Sequence, residues 1–207
     1  MARALPEDCG VYGIQSPGLN PGETFLPTVE AMADDYLRLI EPLLDGPLVL
    51  TGLSFGGLVA HEMGRRLALA GHTGPSVVLL DTHGSDEDAR RAEIEPVGMA
   101  EFRQKLVKFN GMYPGIEDEQ IERYFRVYNH NRLAARAYRA PSTPARLVLL
   151  QATRGLDAPA SRAAGDFWRR RAGNGLRVER LACDHWEILE PAGVSRVAAL
   201  LASELAR

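Results

Sequence analysis

The sequence predicts an α/β fold: a mostly parallel sheet flanked by helices, with an all-helical insertion. Three observations carry this. Short β-rich runs alternate with helical patterns along most of the chain. Val77–Leu80 and Leu147–Leu150 are unbroken apolar runs, as strands buried on both faces require. The alternation fails only between Asp81 and Ala145, where no strand pattern occurs.

Taken in order, Val11-Tyr12-Gly13-Ile14-Gln15 reads as a strand stopped by Ser16-Pro17-Gly18. From Thr28, a suitable N-cap, apolar residues recur at Val29, Met32, Tyr36, Leu37, Ile40 and Leu44, which is helical spacing. Leu48–Thr51 is the next strand. Leu58, Val59, Met63, Leu67 and Ala70 then form a helical stripe that Gly71 ends as a C′ residue. Val77–Leu80 follows. Within the insertion, Gly84 to Arg91 is polar and charged, Glu101 to Phe109 is helical, and Ile121, Tyr124, Phe125 and Tyr128 mark a helix over Glu117 to Tyr138. Leu147–Leu150 and Leu176–Ala182 are the last strands. Val194, Val197, Ala198, Leu201 and Leu205 make a closing helix with Pro191 near its start.

At 207 residues the chain is read as a single domain, 1–207, with the insertion at about 84–145. It is 45% hydrophobic and carries a formal net charge of −3, so no global field favours nucleic acid or an anionic membrane. No apolar run approaches the ~20 residues a membrane span needs. The first residues lack the apolar stretch of a signal peptide. Cys9 and Cys183 are far apart and suggest free thiols in a reducing cytoplasm. No metal-ligand or cofactor pattern is visible.

The chemistry starts at Gly52-Leu53-Ser54-Phe55-Gly56, a G-x-S-x-G pattern. Alone it is weak, but it follows the strand Leu48–Thr51 and opens a helix, the setting of a nucleophile elbow. The strained turn is expected to need small residues at Gly52 and Gly56, with Gly57 easing helix–sheet packing. Ser54 Oγ would stand at the positive end of a helix, with the Phe55 N–H as one oxyanion donor. A serine needs a base oriented by an acid. Asp81, directly after Val77–Leu80, and Asp157, beyond Leu147–Leu150, both qualify as the acid. Of the histidines, His61 and His72 fall in or just after the helix that follows Ser54 and are expected to face away from the elbow. His83 is too near Asp81 in sequence to swing easily between it and Ser54. His130 lies in the insertion. His185 follows the last strand and completes the chain order Ser, Asp, His of the α/β-hydrolases.

Gly52-Leu53-Ser54-Phe55-Gly56-Gly57-Leu58-Val59-Ala60-His61-Glu62-Met63 closely resembles the elbow and helix of thioesterase domains from nonribosomal peptide synthetases and polyketide synthases. So do Val11–Leu19, Val78-Leu79-Leu80-Asp81 and Asp184-His185-Trp186-Glu187-Ile188-Leu189-Glu190-Pro191, in the same order. The resemblance implies an α/β-hydrolase fold whose insertion is a lid, and it selects Asp81 over Asp157 as the acid beside Ser54 and His185. It implies no cofactor of the chain's own. The substrate would be an acyl or peptidyl chain held as a thioester on the phosphopantetheine of a carrier protein, released by hydrolysis or cyclisation. Arg132, Arg136 and Arg139, or Arg169-Arg170-Arg171, are basic groups that an acidic carrier can meet; solvated helix faces explain them equally well.

The family also carries an extra strand and a glycine-containing loop upstream of Val11, and the loop supplies a second oxyanion N–H. Here Met1 is followed at once by Ala2–Pro6, which resembles the end of the helix after that loop. The missing strand would lie between Val11–Gln15 and Leu48–Thr51. A piece of a longer protein, a strand borrowed from a partner and a degenerate, inactive domain each account for this. Alternatives to chain release are a free-standing editing thioesterase, a small-molecule esterase or lipase, and a non-catalytic docking module.

Overall fold

The computed structural model describes residues 2–7, 9–72, 74–108, 111–155 and 158–207. Its helices are α1 (Val29–Ile40), α2 (Phe55–Leu69), α3 (Asp88–Ala92), α4 (Met99–Lys108), α5 (Asp118–Ala137), α6 (Ala158–Arg169) and α7 (Pro191–Leu205). Its strands are β1 (Val49–Leu53), β2 (Ser76–Leu80), β3 (Arg146–Ala152) and β4 (Leu176–Leu181). They form one parallel sheet in the order β1-β2-β3-β4.

That order explains the layers. Right-handed crossovers between sequential parallel strands put every connecting helix on one face. Val77, Leu79, Leu147 and Leu149 face a cluster shared with α1, α2 and the α6 residues Phe167 and Trp168. The alternate residues Val78, Leu80, Val148 and Leu150 face Val197, Leu200 and Leu201 of α7, which covers the opposite side. Both faces of β2 and β3 are therefore buried, which is why their sequences are continuous apolar runs.

The helix ends follow their sequence signals. Thr28 Oγ1 accepts from the Ala31 N–H at 3.1 Å and caps α1. At the end of α2, Gly71 takes φ +88 while its N–H reaches the Ala68 carbonyl and the His72 N–H reaches Leu67, a Schellman pattern. Pro191 opens α7. The segment between β2 and β3 holds α3, α4 and α5 and no strand among the described residues. Val97, Phe102, Leu106 and Ile121 give it a small apolar core of its own.

One expectation needs correction. Val11–Gln15 is not a strand. Among the described residues no strand pairs with it, and Val11 and Tyr12 are 44% and 68% exposed. The run and the outer edge of β1 instead line a common hollow of about 280 Å³, with Tyr12, Ile14 and Ser16 on one wall and Val49, Leu50 and Thr51 on the other. Helix α6 is an element for which the sequence pattern carried no expectation.

Candidate active site

Ser54 sits between β1 and α2 with φ 53 and ψ −116, outside both strand and helix geometry. Asp81, the residue after β2, has φ 44. These are the non-glycine residues with positive φ among those described, and they lie side by side. Leu53 pairs with Leu80 across the sheet. The ladder then runs one step further: the Ser54 N–H donates to the Leu80 carbonyl at 2.9 Å, and the Asp81 N–H donates to Leu150 at 2.7 Å. Backbone strain of this kind persists only where surrounding bonds impose it. Aspartate is among the residues that tolerate the left-handed region.

The glycines show what the elbow demands. A Cβ on Gly52 would lie 2.2 Å from the Gly56 carbonyl carbon, and one on Gly57 would lie 1.9 Å from Thr82 Oγ1. A Cβ on Gly56 would meet nothing within 4 Å. The expected need for a small residue at Gly56 is thus incorrect: the crowding involves its backbone, which Gly52 must clear. Phe55 begins α2, so its N–H has no intrahelical acceptor and stays available at the helix's positive end.

His185 lies on the β4–α7 connection and is partly exposed. Its Nδ1 meets Asp81 Oδ2 at 2.7 Å. Asp81 is 3% exposed and its other oxygen, Oδ1, accepts from the Ala152 N–H at 3.1 Å and faces His83 Nε2 at 3.4 Å. Burial opposes its ionisation, but the contacts from His185 and His83 and the Ala152 N–H outweigh that and hold the carboxyl below the usual range. The His185 loop is pinned by a reciprocal box: Asp184 Oδ1 accepts from the Trp186 and Glu187 N–H groups, and Glu187 Oε2 accepts from the Asp184 N–H. Arg154 pairs with Glu187 from the end of β3.

Asp81 and His185 are therefore joined, and Ser54 is abreast of Asp81. Among the described residues no hydrogen bond links the Ser54 hydroxyl to His185. Such contacts often tighten only when substrate binds. The rival acid, Asp157, lies outside the described residues, as does Phe109.

The other histidines are occupied or remote. His61 is fully buried, with Nδ1 3.0 Å from the Tyr138 hydroxyl, and burial lowers its pKa from 6.5 to about 4. Tyr138 donates in turn to Glu62, which Arg65 and Arg66 also hold. His130 reaches the Leu26 carbonyl at 2.7 Å and stacks on Phe25. His72 is exposed beyond the end of α2. The arginine groups already serve this chain: Arg132 binds the Glu95 carbonyl, Arg136 pairs with Glu95, Arg139 with Asp88, Arg169 with Asp166, and Arg170 and Arg171 with Asp86.

A cavity of about 250 Å³ begins at His83 and runs between Leu58, Phe167, Tyr138 and the α3 arginines Arg90 and Arg91. A larger hollow, about 1050 Å³, lies near the opposite, N-terminal ends of the strands, around Pro47, Ser76 and Arg146. It is remote from Asp81 and His185. Above His185, α4 brings Lys105 and Lys108 within 6.0 and 5.8 Å of the Trp186 ring. Cys9 and Cys183 are free thiols. Among the described residues no group of His, Cys, Asp and Glu could hold a metal ion, and no helix is long and apolar enough to cross a membrane.

A family model described as "Thioesterase domain" matches residues 1–205. The chain belongs to the thioesterase domain family. It is 27% identical over 212 residues to malpibaldin synthetase of Mortierella alpina and 29% identical over 208 residues to the AMB antimetabolite synthetase AmbE of Pseudomonas aeruginosa. All of this thioesterase domain is matched by the first and 98% by the second, yet it spans only 4% and 10% of their lengths. Among solved structures, the NocB thioesterase domain from the nocardicin cluster matches 94% of the chain at 25% identity and a TM-score of 0.72, over 81% of its own length. The Vlm2 thioesterase domain bound with a dodecadepsipeptide matches 99% at 20% identity and a TM-score of 0.77, over 85% of its own length. The fold is thus that of the thioesterase α/β-hydrolases, and the domain is related to those of nonribosomal peptide and polyketide synthases.

Proposed function

We propose that this thioesterase domain releases an acyl or peptidyl chain from the phosphopantetheine thioester of a carrier protein, with Ser54, His185 and Asp81 as its catalytic residues. The observation that carries the reading is the Asp81–His185 pair at 2.7 Å, abreast of a serine held in a strained strand-to-helix turn. The two relatives named as synthetases, many times longer than this chain, favour a release domain over a free-standing editing enzyme.

The chemistry follows from the residue types. His185 Nε2 takes the proton as Ser54 Oγ bonds to the thioester carbonyl carbon. Asp81 fixes the proton of His185 on Nδ1 and supports the imidazolium. The Phe55 N–H donates to the oxyanion. The C–S bond breaks, and His185 returns its proton to the leaving sulfur. Water, or a hydroxyl or amine of the bound chain, then attacks the serine ester by the same relay and restores Ser54. The reaction draws on side chains and backbone alone, with the carrier supplying the phosphopantetheine in the cytoplasm. The helices between about 84 and 145 act as the lid, and α4 over Trp186 supports that role.

A fluorophosphonate probe tests this directly. It should label the wild-type protein at Ser54 and leave Ser54→Ala unlabelled, and the wild type should discharge an acylated carrier protein. Folded protein that neither reacts with the probe nor discharges the carrier would overturn the reading.

A further inference from the structure

Asp81 carries one more imidazole than the mechanism uses. His185 occupies Oδ2 at 2.7 Å, while His83 Nε2 faces Oδ1 at 3.4 Å, beside the Ala152 N–H at 3.1 Å. His83 is 43% exposed and lines the cavity of about 250 Å³. It is therefore open both to solvent protons and to whatever fills that cavity.

We propose that His83 is a positioning residue that sets how much of the Asp81 charge is available to His185. This rests on the catalytic reading of Ser54, Asp81 and His185. With His83 neutral, its ring faces the carboxylate at 3.4 Å without adding charge, and the full negative charge supports the imidazolium that forms on His185. With His83 protonated, two imidazolium groups must share one buried carboxylate. Proton transfer from Ser54 to His185 is then disfavoured, because like charges around a shared partner oppose each other.

The surroundings leave this coupling intact. From α3, Arg90 pairs with Glu87 and Arg91 with Asp88, so these cations meet compensating charge. Tyr138 contributes a phenol whose ionisation burial pushes well above its ordinary range. The cavity walls from α2 and α6 are Leu58, Ala160, Ala163, Ala164 and Phe167, which carry no charge. Asp81 is the carboxylate that both imidazoles address.

The test uses the intact chain with nitrogen-15-labelled histidine. In the wild type the pH dependence of the His185 ring signals should carry a second step that His83→Gln lacks. Superimposable His185 curves would overturn the proposal. A second arm measures kcat/KM against pH on an acyl thioester of N-acetylcysteamine. The acid limb should fall more steeply in the wild type than in His83→Gln, so the variant-to-wild-type ratio should rise as the pH falls. His83→Gln, which retains an N–H donor, should also keep more of the high-pH rate than His83→Ala. A histidine that merely packs would lower the rate in both variants and leave the limb unchanged, and that outcome refutes the idea. Failure of fluorophosphonate labelling would strike the catalytic reading itself, whereas the histidine titration decides the sharing of Asp81 in either case.

Discussion

Replacing Asp81 by asparagine separates charge from shape. Asparagine tolerates the left-handed backbone that Asp81 adopts at φ 44, so the strand end need not move. The cost falls on the hydrogen bonds. If the amide oxygen stays on the Ala152 N–H, the NH₂ group faces His185 Nδ1 in place of the oxygen now 2.7 Å away. Nδ1 must then accept, the ring proton moves to Nε2, and the nitrogen that should take the proton of Ser54 is blocked. If the amide flips, two donors confront each other at the Ala152 N–H, a penalty of about 1–3 kcal/mol. Tautomer inversion of this kind lowers kcat by about 10⁴-fold. The assay is kcat/KM on a short acyl thioester, with the rate of fluorophosphonate labelling in parallel and thermal unfolding as the control. A folded Asp81→Asn protein within tenfold of wild type on both rates would refute the assigned role.

Three further outcomes follow from the geometry. Burial lowers the His61 pKa from 6.5 to about 4, so the unfolded chain binds a proton there before the folded one does. Its contribution is complete above pH 6.5 and falls with acidity; between pH 7.5 and 5 the wild type should lose about 2 kcal/mol more than His61→Phe in urea titrations. Equal losses would contradict the buried neutral imidazole. Gly52→Ala should cost about 3 kcal/mol or more because its Cβ strikes backbone, whereas Gly56→Ala should be neutral or slightly stabilising in thermal melts. A reversed order would mean that the elbow is built differently. Asp184→Ala removes the acceptor of the Trp186 and Glu187 N–H groups, loosens the His185 loop by about 1 kcal/mol and should slow Ser54 labelling without lowering the melting midpoint by more than a few degrees.

What the sequence made legible was whatever depends on local pattern. Leu147–Leu150 could be read as a buried strand because both of its faces are apolar, and Thr28 and Gly71 could be read as helix ends from their own chemistry. Val11–Gln15 has the same local character but pairs with no strand among the described residues, and pairing is a property of the neighbour. Helix α6 escaped because Pro159 and Gly165 interrupt a stretch of alanines whose large apolar residues, Phe167 and Trp168, come only at its end. Ser54 stood out from a motif and His185 from chain order at a strand end, whereas Asp81 was separated from Asp157 only by the family resemblance. The Ala152 N–H and the return of His83 to Asp81 were not, because both depend on the left-handed bend at Asp81. The Asp184–Glu187 box had a visible signal, an acidic pair three residues apart before a helical turn.

The proposed catalytic residues are anchored with unequal strength. Ser54 and Asp81 are continuations of the sheet ladder and can be displaced only when the strands themselves separate. His185 rides on a surface connection secured by a few side-chain bonds. Openings of such connections lie at the low end of a protein's free-energy scale, well below global unfolding. Gentle warming or dilute denaturant should therefore silence the molecule while its spectroscopic signature of folding is still whole, and cooling or dilution should restore it.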